Sequence, residues 1–299
     1  MTPGNQAEHK AMSGVVAVLW AALSSGLLAV MWIIVRKLSD HIHPLEITFF
    51  SAFFGFLVFL PTVLPQGLRV FRSSRLTTHF IRAAFNGTGI MAWFLALTLM
   101  PLADAAALSL LVPLAVSVGA MIFLKEPMGP RRWFALVFGA FGALVVAQPG
   151  YQSFNLGVLL VMVMVFAAAT QRIIAKFLTR TESSSTSVLY VMLFMSPLTL
   201  IVASFVWTWP ELEDYPWLFA IGALLSAGHF AFMRSISLAD VSAMEPVNFT
   251  RIVWAALLGF IFFYEVPQLS TWVGGLMIIS ATTYVAHREA SMRRNRNSI

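Results

Sequence analysis

Phe123 to Trp133 reads FLKEPMGPRRW, and 139 residues later Phe262 to Trp272 reads FFYEVPQLSTW. Each stretch closes an apolar run on a carboxylate, Glu126 or Glu265, turns at a proline, and enters the next apolar run at a tryptophan. Two further echoes keep nearly the same interval. WIIVRKLS (Trp32 to Ser39) returns after 140 residues as RIIAKFLT (Arg172 to Thr179), and PLAD (Pro101 to Asp104) returns after 136 as SLAD (Ser237 to Asp240). The chain therefore reads as two repeats, residues 13–150 and 151–288, between a polar N-terminal tail (1–12) and a basic C-terminal tail (289–299).

Composition says where these repeats sit. The 299 residues are 59% hydrophobic and 11% charged, with a mean hydropathy of +0.82, whereas soluble domains carry about 25% charged residues. This is an integral membrane protein. A span needs about 20 apolar residues, and breaking the chain at charges, prolines and polar clusters gives ten: 13–35, 44–65, 77–99, 102–124, 131–148, 155–177, 186–208, 215–237, 241–263 and 268–287. The short turns MPLAD (Met100 to Asp104) and SLAD make helical hairpins of the third and fourth spans and of the eighth and ninth. Five spans per repeat is an odd number, so the second repeat enters the bilayer from the opposite side. The expected fold is an all-α membrane protein of ten transmembrane helices in two inverted-topology halves. Such halves meet at a pseudo-twofold axis in the membrane plane and enclose a central cavity near its middle.

Loop charges orient the chain. With both termini cytoplasmic, the inner side collects the basic residues of both tails and of the loops near Arg69, Lys125, Arg131 and Arg180, while the outer loops hold Arg36 and Lys37. By the positive-inside rule this fits a multi-pass protein of the bacterial inner membrane. The net charge of +6 is then topology and not a nucleic-acid footprint. The segment RRNRNS (Arg293 to Ser298) reads as a disordered anchor at the anionic membrane face. No cysteine is present, and there is no HExxH, GxSxG or GxxxxGK[ST] motif. Catalytic residues, metal ligands and cofactors are therefore not expected, and the chain is not read as an enzyme. A channel would need rings of like charge or an aligned carbonyl filter, and neither is evident.

The strongest polar signal lies in ADVSAMEPVNFTRIVW (Ala239 to Trp254). Glu245, Asn248 and Arg251 recur every three residues along one side of a helix, with Pro246 removing a backbone donor beside them. Polar groups at that depth either hold helices together or meet a substrate. The roles assigned are Arg251 for an anionic group, Asn248 for orientation, and Glu245 for a cationic group or a coupling proton. On the third span Arg82, Asn86 and Trp93 share a face, and Gly87 and Gly89 permit close helix approach. At the 136-residue interval Trp93 corresponds to His229, so Asn86, Trp93 and His229 are expected to form the opposite wall. Arg82 is read as snorkelling to the surface, and Gln171 and Arg172 as interfacial anchors. Pro113 frees a backbone carbonyl inside the fourth span. Glu126 and Glu265 end matching spans on opposite faces, where they gate, carry a coupling proton or organise loops. Ala135, Gly139 and Ala143 form a small-residue ridge for packing within the chain or in a homodimer. Trp20, Trp32, Trp93, Phe249 and Trp254 surround the polar groups and suit an amphipathic zwitterion or a flat heterocycle.

The runs HFIRAAFNGTGIMAWFLALTLMPLADAAALSLLVPL (His79 to Leu114), FLKEPMGPRRWFALVFGAFGALVV (Phe123 to Val146) and EPVNFTRIVWAALLGFIFFYEVP (Glu245 to Pro267) resemble the EamA family of the drug/metabolite transporter superfamily. The resemblance covers nearly the whole chain. It implies a basket of helices around a cavity lined by the third, fourth, eighth and ninth spans, with contributions from the first and sixth. It also implies alternating access, with a small metabolite and the bilayer as partners. Export of an amino acid or related compound is favoured; the alternative is uptake of S-adenosylmethionine or a vitamin such as riboflavin. The chain is similar to the S-adenosylmethionine subgroup, which implies an acid where Arg251 stands. That departure favours a substrate with a carboxylate or phosphate over a sulfonium cation.

Overall fold

The computed structural model describes residues 3–67, 73–124, 129–148, 155–178, 182, 184–238 and 250–297, and no strand occurs among them. The described helices are α1 (Pro3–Leu38), α2 (Pro44–Val63), α3 (Leu76–Leu99), α4 (Leu102–Ser109), α5 (Val112–Leu124) and α6 (Pro130–Ala147), followed by α7 (Leu156–Leu178), α8 (Ser184–Ala203), α9 (Tyr215–Leu238), α10 (Thr250–Phe263) and α11 (Leu269–Asn297). Over its described residues each predicted span overlaps one of them, except that the fourth is split into α4 and α5. Glu126, Glu245, Pro246, Asn248 and Phe249 lie outside the described residues.

The split in the fourth span has a local cause. Pro113 offers no N–H to the Ser109 carbonyl one turn earlier, and its ring crowds that oxygen. The backbone tightens instead, with Leu110 N–H donating to the Ala107 carbonyl at 3.2 Å and Leu111 N–H to that of Leu108 at 3.0 Å. Further boundaries depart from expectation, α1 beginning at Pro3 within the predicted N-terminal tail. The seventh span ends as helix at Ala203 and not near residue 208. At the C-terminus α11 continues to Asn297, so residues 293–297 of the segment read as a disordered anchor are helical. No glycine or proline follows Gly275 to stop it, and Arg, Ala and Met favour helix.

Packing follows the repeat. The most extensive contacts include α1 with α9 and α3 with α7, which exchange when the first five spans are swapped for the last five. The same swap relates α2–α9 to α3–α8, and α5–α7 to α1–α10, while α2–α8, α6–α11 and α4–α10 map onto themselves. The two halves thus interlock through a pseudo-twofold axis, and the core lies between them. Helix α4 sits deepest; Ala105, Ala106 and Ala107 have no exposed surface. Small side chains let it lie close to α7, α10 and α11. Helices α6 and α11 cross closely, and a Cβ on Gly142 would stand 2.8 Å from the Gly274 carbonyl. The ridge begun by Ala135 is used within the chain, since Ala135 is buried with Leu114, Ala281 and Val285.

The perimeter is apolar, with Phe134, Phe166 and Ile261 among the exposed side chains. Among the described residues, six segments are long and apolar enough to cross a bilayer, and three shorter helices are also apolar. A surface of this kind suits lipid and not water.

Polar ties gather at one end of the bundle. Glu46, fully buried at the start of α2, accepts from Thr208 N–H at 3.1 Å and its hydroxyl at 3.2 Å. His41 meets Asp214 at 2.8 Å, Gln148 donates to Gln268 at 2.9 Å, and the Thr271 hydroxyl donates to Asp104 at 2.5 Å. These ties join the two halves, and this is called the tied end below.

Candidate functional site

A cavity of about 180 Å³ lies between the halves, bounded by α1, α3, the α4–α5 break, α7, α9 and α10. Helix direction sorts its lining. From α1 and α3, Trp32 and Trp93 stand toward the tied end, edge to face with ring centroids 4.9 Å apart at 64°. Both rings are buried and both line the cavity. Toward the other end lie Asn86, Arg172, His229 and Arg251. The described wall carries no carboxylate.

Four of the six residues expected to bind substrate therefore share one cavity: Arg251, Asn86, Trp93 and His229. The other two, Glu245 and Asn248, lie outside the described residues. Asn86 donates from Nδ2 to the Met195 sulfur at 3.2 Å, a weak acceptor. Gly87 lets α3 lie close to α8, because a Cβ there would stand 3.2 Å from the Met195 side chain, whereas one on Gly89 would make ordinary contact with Ala167 at 3.4 Å. Ser109, Leu110, Val112 and Pro113 bring the helix break itself to the cavity wall, where a substrate donor can meet backbone acceptors.

Two arginines are placed differently from the sequence-based expectation. Arg172, read as an anchor, lines the cavity. Arg82, read as snorkelling, turns into the protein: its Nε donates to Gln171 at 3.4 Å and its terminal nitrogen to the Ser187 carbonyl at 3.3 Å and the Ser187 hydroxyl. The repeat held the missed signal, since Arg172 stands at the 140-residue counterpart of Trp32. Both members of that pair face the cavity.

Glu265 is not part of the cavity lining. Its carboxylate meets the Arg36 guanidinium at 2.5 Å and accepts the Leu102 backbone N–H at 2.9 Å. That amide opens α4, so the carboxylate caps a helix N-terminus from a distant part of the chain, where negative charge is favoured. Glu126, its sequence counterpart, lies outside the described residues.

The comparisons agree with this architecture. A solved crystal structure covers 93% of this chain and 98% of its own, with a TM-score of 0.61 at 17% identity, a likeness of fold alone. The chain is 29% identical over 254 residues to an S-adenosylmethionine uptake transporter of Rickettsia felis, covering 85% of this chain and 86% of the relative. It is 29% identical to a riboflavin transporter of Vibrio cholerae, covering 81% and 82%, and 26% identical to a pseudopaline exporter of Pseudomonas aeruginosa, covering 88% and 93%. The profile of the EamA-like transporter family matches twice, over residues 15–148 and 155–286. With nearly the whole length matched in two halves, the chain belongs to the EamA-like transporter family, as a membrane transporter of small metabolites.

Proposed function

We propose that the protein is a secondary carrier of the bacterial inner membrane, with both termini cytoplasmic, that moves a small amphipathic organic acid by alternating access. It is not an enzyme in this reading. The observation that carries it is the convergence of Arg251, Asn86, Trp93 and His229, drawn from both halves, on one cavity beside a broken helix. Arg251 takes an anionic group, Asn86 orients the molecule, and the tryptophans hold its apolar or aromatic part. Glu245 and Asn248 are assigned to the same substrate from their spacing with Arg251. The two repeats, 13–150 and 151–288, rock about the cavity between them.

The named relatives act in both directions, as an uptake transporter and as an exporter. Alternating access is reversible, so the direction of net movement follows the driving gradient. The alternatives of S-adenosylmethionine and riboflavin are less well suited. Arginine at position 251, where the S-adenosylmethionine subgroup is expected to carry an acid, favours an anionic group over a sulfonium cation. At about 180 Å³ the cavity is below the usual range of roughly 300–1,000 Å³ for small-molecule pockets, which favours a compact substrate over a flavin.

The test is uptake and counterflow in proteoliposomes against labelled amino acids, organic acids, S-adenosylmethionine and riboflavin, with Arg251→Ala beside the wild type. Trans-stimulated flux of one compound, lost in a normally inserted mutant, is the expected result. Flux that persists in the mutant would return Arg251 to a structural role, and flux without trans-stimulation would indicate a channel.

A further inference from the structure

We infer that Glu265 is a latch residue: by joining Arg36 of α1 to the N-terminus of α4 it holds the cavity shut at the tied end, and the short helix α4 conveys the state of the cavity to it. This rests on the carrier reading and adds the contact that must break for the cavity to open at that end.

The latch stands over the aromatic end of the cavity. Arg36 lies four residues beyond Trp32 on α1, one helical turn, so the two share a face, and Trp32 lines the cavity. The end of α10 aims the carboxylate. Tyr264, at φ 55°, closes that helix as a left-handed cap, its N–H donating to the Phe260 carbonyl at 3.1 Å. The Glu265 N–H then folds back to the Gly259 carbonyl at 3.2 Å. Gly259 leaves room for the side chain, since a Cβ there would stand 3.2 Å from Glu265 Oε2. Lys37 braces the same crossing of α1 and α10, its Nζ lying 5.0 Å from the Phe262 ring centroid.

Helix α4 ties the latch to the cavity. Its first residue, Leu102, donates to the Glu265 carboxylate, and its far end, Ser109 and Leu110, lines the cavity about 12 Å away. The break before Pro113 separates α4 from α5, so α4 can shift as a unit. One short helix therefore meets the cavity at one end and the latch at the other. Two costs keep the closed latch reversible. Tyr264 holds a left-handed conformation that favours glycine, and one terminal nitrogen of Arg36 is buried without an acceptor. Opening relieves both, because the turn is released and water reaches the guanidinium. A charged contact offset in this way suits a state that forms and breaks in every transport cycle.

The experiment reads the cavity's accessibility apart from transport. The chain contains no cysteine, so one introduced thiol reports by itself. Met31→Cys places it in the cavity lining at a buried position beside Trp32, and membrane vesicles are treated with an impermeant maleimide from the tied-end side. Leu212→Cys, in the exposed loop before α9, verifies that this side faces the reagent. Met31→Cys should label slowly, and adding Glu265→Gln or Arg36→Gln should raise the rate about fivefold or more, because each removes the ion pair from the closed state alone. Adding Pro113→Ala to Glu265→Gln, which lets α4 join α5, should cut that rise by about half or more. Gly142→Ala loosens the α6–α11 crossing away from the latch and should leave the rate within about twofold. If Glu265→Gln does not insert, Glu265→Asp, which keeps the charge and shortens the reach, carries the comparison. Unchanged labelling in the normally inserted latch variants, an equal rise in Gly142→Ala, or a rise that Pro113→Ala leaves intact would overturn the proposal. The two readings separate cleanly. Labelling as expected with flux that lacks trans-stimulation sinks the carrier and keeps the latch, whereas trans-stimulated flux with labelling unmoved by the latch variants does the reverse.

Discussion

Glu265 and Arg36 form an ion pair at 2.5 Å between the end of the ninth span and the end of the first, and the same carboxylate caps the N-terminus of α4 through Leu102 at 2.9 Å. Arg36 also lies over the Phe263 ring, 4.5 Å from its centroid. One carboxylate therefore links α1, α4 and the C-terminus of α10 at the tied end. Its side chain is 18% exposed and that of Arg36 is 21%, so water screens the pair only in part.

Glu265→Gln and Arg36→Gln should each lower stability by about 1–2 kcal/mol, since a charge-assisted contact is lost while hydrogen-bonding capacity remains. The double mutant should cost less than the sum of the singles, by about 0.5 kcal/mol or more. Thermal melting of the purified variants checks this. Strict additivity would show that the two side chains do not interact.

Pro113→Ala restores an N–H opposite the Ser109 carbonyl, allowing α4 and α5 to join as one helix. Stability should hold or rise by about 1 kcal/mol. Flux should fall several-fold, because the break forms part of the cavity wall. Counterflow at matched protein levels measures it, and unchanged flux would show that the break serves packing alone.

Gly142→Ala should be damaging, because the new methyl meets the Gly274 carbonyl and Met277 Cβ, each at 2.8 Å. A cost of about 1–3 kcal/mol is expected from such overpacking. Gly129→Ala is the control, with nothing among the described residues within 4 Å of the new methyl and a backbone φ of −72° that alanine adopts readily. It should stay within about 0.5 kcal/mol of wild type. Melting temperatures of the two variants decide the matter.

Trp32 and Trp93 should be coupled by about 0.5–1.5 kcal/mol in a double-alanine cycle, the usual worth of an edge-to-face pair. Either single substitution should also weaken binding of aromatic ligands more than that of aliphatic ones of equal charge. Equal losses for both ligand classes would remove the tryptophans from the substrate's apolar contact.

The sequence by itself determined the membrane location, the positions of the spans and the duplication. These depend on hydropathy, on loop punctuation and on repeated order, which are properties of short stretches or of alignment along the chain. It also brought Asn86, Trp93, His229 and Arg251 forward, because polar or aromatic groups deep in apolar runs stand out without a structure. What the tertiary structure alone decided was the partner of each charge. Arg82 and Arg172 both sit near span ends, where snorkelling is the ordinary outcome, and only the packing of α3 against α7 and α8 turns Arg82 inward to Gln171 and Ser187. Arg36 and Glu265 are 229 positions apart in the chain, and nothing local joins them. Hydropathy says that a residue is costly in lipid, but the helix that relieves the cost comes from the other half of the chain, and its identity is a matter of packing.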